Sequence, residues 1–361
     1  MRVTAVHQFI PTLAVHDAIG AHSLQLQSLV TEMGMASHLY VDSVVPQLAG
    51  RTTHYTRYRG GPGQVLLYQA STGSAIADFL LARSEPLLMS YHNITPSKML
   101  DHWEPAISIE LDEARSELAR LAPRTAHAIA DSAFNEAELR ELGYRSTSVS
   151  PPMIDPAALS MTPDEATADW LSHWRRNRGA VLLFVGRIIP NKAQHDLVRA
   201  FALYRKVYDP GARLCLVGGV SSPRYHAALK AQVDDLGLQD VVDITGSVSG
   251  PELVAYYKQS DVLVCLSDHE GFCVPVVEAM HHRLPVIGFD AGAVGETMGS
   301  AGLKLPAKSA ALVATAVHRV VSDPQLRQEL VLAGTERAAS LSLARGRASY
   351  RSALEKALSL L

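Results

Sequence analysis

Short runs of continuous apolar residues alternate with stretches in which apolar positions recur every three or four residues. In the first half RVTAVHQFI, SHLYV, VLLYQ, PLLMSYHN and HAIADS read as strands. Between them, residues 19–33, STGSAIADFLLAR and ISIELDEARSELARLA read as helices, with Ser71 placed to cap the second. The first of these carries Leu24, Leu26, Leu29, Val30 and Met33 at helical spacing. Such alternation predicts βαβ units and a largely parallel sheet.

Three prolines within residues 151–156 break this pattern and mark a domain boundary, followed by polar sequence to about Glu165. Beyond it VLLFVGR, RLCLVGG, VVDITG, DVLVCLS and PVIGFD are apolar on both faces, as strands buried in a parallel sheet are. Helices are expected near 192–208, 223–237, 250–260 and 275–283, and the tail from Ser309 is helical in pattern. The chain therefore divides into residues 1–155 and 156–342, each a doubly wound α/β domain, with 343–361 as a terminal helix.

Length suits two such domains: 361 residues exceed one ordinary compact unit. A net charge of −3 excludes the basic footprint of a nucleic-acid binder. The balance is uneven, with 11 Lys/Arg against 16 Asp/Glu in 1–155 and 22 against 20 in 156–361. An acidic first half argues against docking on anionic lipid; Arg51, Arg57 and Arg59 read as solvated loop charges. Three cysteines cannot make a disulfide framework and fit reduced thiols in the cytosol. The first residues run straight into a strand pattern without a signal-peptide h-region. No apolar stretch approaches the ~18 residues of a membrane span. The expectation is a cytoplasmic protein, at most peripheral at the inner face of a membrane.

Open α/β sheets bind ligands beyond the carboxyl ends of their strands. After VLLFV come Gly186, Arg187 and, five residues on, Lys192. Two cations at a strand end suit a diphosphate whose charge grows as it departs, although solvated loop charges look the same in sequence. After DVLVCLS comes DHEGFCVPVVE, with Pro275 at a helix start whose free N–H groups attract anions. Glu270 and Glu278 flank that turn, and a carboxylate accepts well from sugar or ribose hydroxyls. Their plainer readings are a loop charge and a helix-dipole partner. Neither GxGxxG after the first strand nor GxxxxGK[ST] occurs, which disfavours a dinucleotide dehydrogenase and excludes a P-loop enzyme.

In order, GRIIPNK, LVGG, TGSVS and SDHEGFCVPVVEAM resemble the C-terminal domain of family 4 retaining glycosyltransferases, with Glu270 and Glu278 forming the E-x7-E signature. HDAIGAHSLQLQSLV and YHNITPSKM resemble the same family's acceptor-side loops. The resemblance implies the GT-B fold, two Rossmann-like doubly wound domains facing across a cleft. It implies that Arg187 and Lys192 hold the donor diphosphate and that Glu270 binds donor-sugar hydroxyls. Gly271, Phe272 and Cys273 would lend their backbones to the sugar, Gly186 would let the donor-binding loop turn closely, Val274 would lie near the phosphate, and Glu278 would accept from the ribose. Ser247 and Val248 would lie near the base, Gly20 near the β-phosphate, and His92 near the reacting centre. Cys273 replaces the family's usual Gly or Ser, and His16-Asp17-Ala18-Ile19-Gly20 replaces its glycine-rich stretch.

The expected function is transfer of a hexosyl group from a GDP-mannose or UDP-hexose type donor to a hydroxyl of a sugar, polyol or lipid-linked glycan. Polysaccharide or glycolipid synthesis is the setting the family implies. No side chain stands out as a covalent nucleophile, so front-face displacement is preferred, with the leaving phosphate taking the acceptor proton. No cofactor and no metal are expected, since the cations and the helix start supply positive charge. A nucleotide-sugar 2-epimerase and a non-catalytic sugar-nucleotide binder remain as alternatives. His281 and His282 read as surface residues, Cys215 and Cys265 as inert core. His7, His16 and His22 read as neighbours of one cleft without a metal-binding role.

Overall fold

The computed structural model describes residues 2–14, 18–154, 160–176 and 179–361. His16 and Asp17 of the acceptor-side loop, and residues 155 and 156 of the proline-rich boundary, lie outside them. The chain forms two compact units. The first comprises Met1–Asp101, Pro105–Asp155 and Ser342–Leu361; the second comprises His102–Glu104 and Pro156–Leu341.

The first unit contains strands β1 (Ala5–Leu13), β2 (Leu39–Val44), β3 (Thr52–His54), β4 (Gln64–Ala70), β5 (Leu87–Tyr91), β6 (Thr125–Ala130) and β7 (Thr147–Val149). All pair in parallel, in the order β3-β2-β1-β4-β5-β6-β7. Its helices are α1 (Ala18–Glu32), α2 (Ile76–Leu81), α3 (Pro105–Leu121) and α4 (Ala133–Glu141). Alternate residues of each strand feed opposite faces of the sheet. Val6, Val65, Leu67, Leu88 and Ile129 pack with Leu26, Leu29 and Val30 of α1 and with Tyr350 and Leu354 of the terminal helix Leu343–Ser359. Phe9, Leu66, Tyr68 and Met89 pack with Ile76, Leu80, Leu118 and Leu139 on the other face. The terminal helix is also tied to α1 by Arg347, whose NH2 lies 2.7 Å from Glu32 Oε1.

The second unit repeats the plan with β8 (Val181–Val185), β9 (Arg213–Val217), β10 (Val242–Gly246), β11 (Val262–Cys265), β12 (Val286–Phe289) and β13 (Leu303–Leu305), in the order β10-β9-β8-β11-β12-β13. Helices α5 (Glu165–Arg176), α6 (Gln194–Val207), α7 (Pro223–Asp235), α8 (Gly250–Gln259), α9 (Val274–His281), α10 (Val294–Met298), α11 (Ala310–Ser322) and α12 (Pro324–Ser340) follow the strands; the terminal helix Leu343–Ser359 is α13. Leu182, Phe184, Leu214, Leu216, Val262 and Val264 face α6, α7 and α11. Val181, Leu183, Cys215, Val217, Leu263 and Cys265 face the side that carries α8, α9 and α10.

Three expectations need correction. Ser71 caps nothing: α2 begins five residues later, and Ser74 Oγ accepts from Ile76 N at 3.2 Å instead. The short strands β3 and β7 escaped the pattern because edge strands of three residues bury too little to show a period. Residues 102–104 belong to the second unit, where Trp103 meets Tyr225 edge-on with ring centres 5.3 Å apart.

Two buried imidazoles make the first unit acid-sensitive. His127 is 1% exposed, with its nitrogens 2.8 and 2.9 Å from the hydroxyls of Ser146 and Ser148. Burial lowers it to about 4, and burial together with His38 lowers His7 to about 4. The unfolded chain takes up these protons near pH 6.5 and the folded chain does not. Stability is therefore full above pH 6.5 and falls as pH drops toward 4, by about 2 kcal/mol per imidazole at pH 5. Thermal melts between pH 7.5 and 5 will show Tm falling, with a shallower slope in His127→Asn; identical slopes overturn the assignment.

Candidate active site

In the second sheet the strand order reverses between β8 and β11, where parallel sheets open their ligand crevice. The loops after these two strands are bonded to each other. Asp268 N donates to Asn191 O at 2.8 Å, Asn191 Nδ2 to His269 O at 3.4 Å, and Lys192 Nζ to Glu270 Oε1 at 2.5 Å. Lys192 and Glu270 are only 16% and 11% exposed in their side chains. Burial alone would lower the Lys192 ammonium; Glu270 first, then Cys273, outweigh it and hold the group above its ordinary value. Arg187 stands exposed on the same loop as Lys192, with no ion pair among the described residues.

The Glu270 loop is braced from behind as well. Ala293 N donates to Glu270 O at 2.9 Å, Thr297 Oγ1 donates to Phe272 O, and Lys308 joins Asp268 (2.6 Å) to Asp196 (2.8 Å). Cys273 then turns the chain into α9 in the left-handed region, at φ 76°. The β-carbon of a non-glycine residue makes that conformation costly, so the braces hold it in place. Gly271 and Phe272 precede this turn and Val274 opens the helix.

Glu278 is the fifth residue of α9, not a member of its first turn, so it does not serve as a dipole partner at the helix start. Tyr257 of α8 donates to its Oε2 at 2.6 Å, and burial raises the carboxyl above its usual range despite that bond. Tyr257 is in turn stacked on His282, with ring centres 5.3 Å apart. His282 is thus half-buried against the site helix, and only His281 is exposed as expected. Tyr257→Phe will leave this carboxylate short of a donor, costing about 1–3 kcal/mol in urea unfolding; an unchanged midpoint contradicts the support role.

The floor of this region is backbone on backbone. Gly186 N donates to Val217 O at 2.9 Å, Ile188 N to Gly219 O at 2.8 Å, and Gly218 N to Gly246 O at 3.0 Å. A β-carbon on Gly218, at φ 147°, would stand 2.0 Å from Gly186 O. Ser247, exposed beyond β10, lies against Gly219, and Val248 is half-buried beside it. The second unit therefore gathers Gly186, Arg187, Lys192 and the residues from Glu270 to Glu278 on neighbouring strand ends, with Ser247 and Val248 at the end of the next strand but one.

Gly20 and His92 belong to the first unit. A β-carbon on Gly20 would meet Ala14 O at 2.5 Å, so α1 passes close over the end of β1. His92 follows β5 with its ring 2% exposed. Its Nδ1 faces the Asp131 carboxylate at 2.9 and 3.1 Å and its Nε2 faces Gln69 Oε1 at 2.6 Å. Gln69 Nε2 reaches Gln8 Oε1 at 2.8 Å, extending a buried polar chain. His22 packs edge-on to His92 at 5.2 Å, whereas His7 stacks on His38 at 5.3 Å.

Sequence reasoning gave no role to Asn191, which lies inside GRIIPNK, and missed Tyr257, Lys308, Thr297 and Asp131, which support the predicted residues from outside any motif. It also read Cys265 as inert core. Its Sγ lies 3.7 Å from that of Cys273, and with Glu270 the two thiols make one cluster of ligand-type side chains within 4.8 Å of one another. The Lys192 ammonium already sits on the carboxylate of that cluster.

Residues 172–337 match the family model described as "Glycosyl transferases group 1". A D-inositol 3-phosphate glycosyltransferase of Pseudarthrobacter chlorophenolicus is 30% identical over 247 residues, 66% of this chain and 58% of that protein. A GDP-mannose-dependent alpha-(1-6)-phosphatidylinositol monomannoside mannosyltransferase of Mycobacterium tuberculosis is 29% identical over 237 residues, 63% of this chain and 60% of that protein. The chain thus spans about 60% of the length of these curated relatives. Among solved structures, Anabaena Alr3699/HepE in complex with UDP and glucose superposes with a TM-score of 0.74 at 16% identity, covering 98% of this chain and 100% of that one. That likeness establishes the fold: two Rossmann-like units of the GT-B type. The family model is thus seated on the strand-end loops described above, and it is the second unit of this chain that is similar to the group 1 glycosyltransferases.

Proposed function

We propose that this protein transfers a hexosyl group from a nucleotide-diphosphate sugar to an acceptor hydroxyl, retaining the anomeric configuration and using no metal. The observation that carries the reading is the Lys192–Glu270 contact across the two strand-end loops at the switch point. Lys192 spends one of its three N–H groups on Glu270, so two remain for phosphate oxygens. Arg187 adds a second cation from the same loop. Together they neutralise the diphosphate as the bond from the sugar's anomeric carbon to the phosphate oxygen breaks. The acceptor oxygen bonds to that carbon, and its proton passes to the departing phosphate.

Glu270, fixed by Lys192, accepts from hydroxyls of the donor sugar, while the backbone of Gly271, Phe272 and Cys273 contacts the sugar, Val274 the phosphate, and Gly186 lets the donor-binding loop turn closely. Glu278 offers the ribose the oxygen that Tyr257 does not engage. Ser247 and Val248 border the base. In the first unit Gly20, whose backbone passes close over the end of β1, is the residue that the family resemblance assigns to the donor phosphate. His92, held between Asp131 and Gln69, is the first-unit residue that the resemblance assigns to the reacting centre.

The donor is of the GDP-mannose or UDP-hexose type, consistent with the names of the mannosyltransferase relative and of the UDP-bound neighbour. The relatives named for inositol phosphate and phosphatidylinositol acceptors favour a polyol or glycolipid acceptor. None of the described helices is long and apolar enough to cross a membrane.

A thermal-shift panel of UDP, GDP, ADP and their sugars tests the donor, since a ligand at 100 times its Kd stabilises by about 2.7 kcal/mol. Glu278→Ala will weaken the nucleotide that scores, and unchanged affinity rejects the ribose role. Incubation of the donor without acceptor separates transfer from epimerisation, which needs none.

A further inference from the structure

β11 ends at Cys265, and eight residues later Cys273 immediately precedes α9. The segment between them carries Asp268 and Glu270. Both cysteines are buried, 5% and 7% exposed, within one packed cluster that includes Val217, Leu263 and Val276. Their Sγ atoms share a hydrogen bond at 3.7 Å, and Cys265 Sγ also reaches Ser267 Oγ at 3.4 Å. A disulfide closes at about 2.05 Å, so the two sulfurs need to approach by roughly 1.7 Å. Cys215, the third thiol, lies in β9 without such a sulfur partner among the described residues.

Metal binding fits this cluster less well. It offers three donors where zinc takes four, and a cation would have to displace the Lys192 ammonium from Glu270. Covalent chemistry between the sulfurs displaces nothing.

We propose that Cys265 and Cys273 are a reversible oxidation site, closing to an intramolecular disulfide with hydrogen peroxide as oxidant. Cys265, whose sulfur lies within reach of both Cys273 Sγ and Ser267 Oγ, attacks first. Its sulfur bonds to one peroxide oxygen as the O–O bond breaks, giving a sulfenic acid and, with the thiol proton, one water. The Cys273 sulfur then attacks the Cys265 sulfur. The S–S bond forms, the S–O bond breaks, and the hydroxide leaves as a second water with the Cys273 proton. Two thiols lose two electrons, one peroxide is reduced to two waters, and a dithiol reverses the change. Closure shortens the span whose middle carries Glu270, and, resting on the donor-binding reading above, it disables nucleotide-sugar binding.

The test uses the full chain treated with hydrogen peroxide, then denatured and alkylated. Reduced protein will accept three labels, oxidised protein one, and dithiothreitol will restore three. Trypsin releases both cysteines in one peptide, residues 259–283, with no internal Lys or Arg; it will lose two hydrogens. Three labels after peroxide, oxygen addition at the thiols without linkage, or a crosslink between chains overturns the site. In parallel, UDP and GDP are titrated by thermal shift. Whichever binds reduced protein will bind at least tenfold more weakly after oxidation, whereas Cys265→Ala, or Cys265→Val should alanine fail to fold, will bind equally before and after. Unchanged affinity in the disulfide form overturns the switch. If neither nucleotide binds reduced protein, the donor reading fails while the peptide mass still decides the disulfide.

Discussion

Lys192→Ala is expected to lower the proposed hexosyl transfer by about 10²–10³-fold in kcat/KM, the loss that follows when one preorganised charge contact to a developing anion is removed. Arg187→Ala lowers it too. It differs in stability, because Arg187 is exposed whereas Lys192 leaves the nearly buried Glu270 carboxylate unpaired. Breaking such a pair from one side costs about 3–5 kcal/mol. Lys192→Met combined with Glu270→Gln removes both charges, so it will recover much of the folding stability and none of the turnover. Near-wild-type turnover in both alanine variants sinks the diphosphate assignment, and it does so whatever the melts show.

Gly218→Ala is the second large effect, and it needs no substrate to detect. The added carbon would stand 2.0 Å from Gly186 O, 2.6 Å from its carbonyl carbon and 3.3 Å from Arg187 N. These are main-chain atoms bound into the strand-end ladder, not the tip of a side chain that swings aside. At φ 147° alanine is strained as well. We expect a loss of about 3 kcal/mol or more in urea unfolding, with displacement of the loop that carries Arg187 and Lys192. Gly237→Ala, where nothing lies within 4 Å, supplies the contrast, since only its own φ of 65° opposes the substitution. Equal losses in the two variants would falsify the close-approach argument.

The sheets were legible in sequence because their strands are buried on both faces and leave continuous apolar runs. VLLFV, RLCLV and VLVC sit where they were placed, and helices 194–207 and 250–259 begin within two residues of expectation. What stayed hidden is what depends on distance in space. Tyr257 precedes Glu278 by 21 positions, and Lys308 follows Asp268 by 40. Neither pairing has a period or spacing to betray it. Cys265 looked inert because a cysteine in an apolar strand carries no mark of what its sulfur faces. The first 3₁₀ turn after β1's neighbour β2, at Pro46–Arg51, and the short β3 after it read only as a polar loop with scattered arginines.

The route of the chain through the first unit has a consequence for its synthesis. That unit takes its last piece, Ser342–Leu361, from the far end of the sequence, and Tyr350, Leu354 and Ala357 complete one face of its sheet. On the ribosome, the part made first is therefore finished last. While residues 156–341 emerge and fold, Val65, Leu67 and Leu88 wait without their terminal cover. The N-terminal half is thus the segment most exposed to chaperone capture and aggregation during translation, and a stop codon near 340 harms it more than the neighbouring domain just completed.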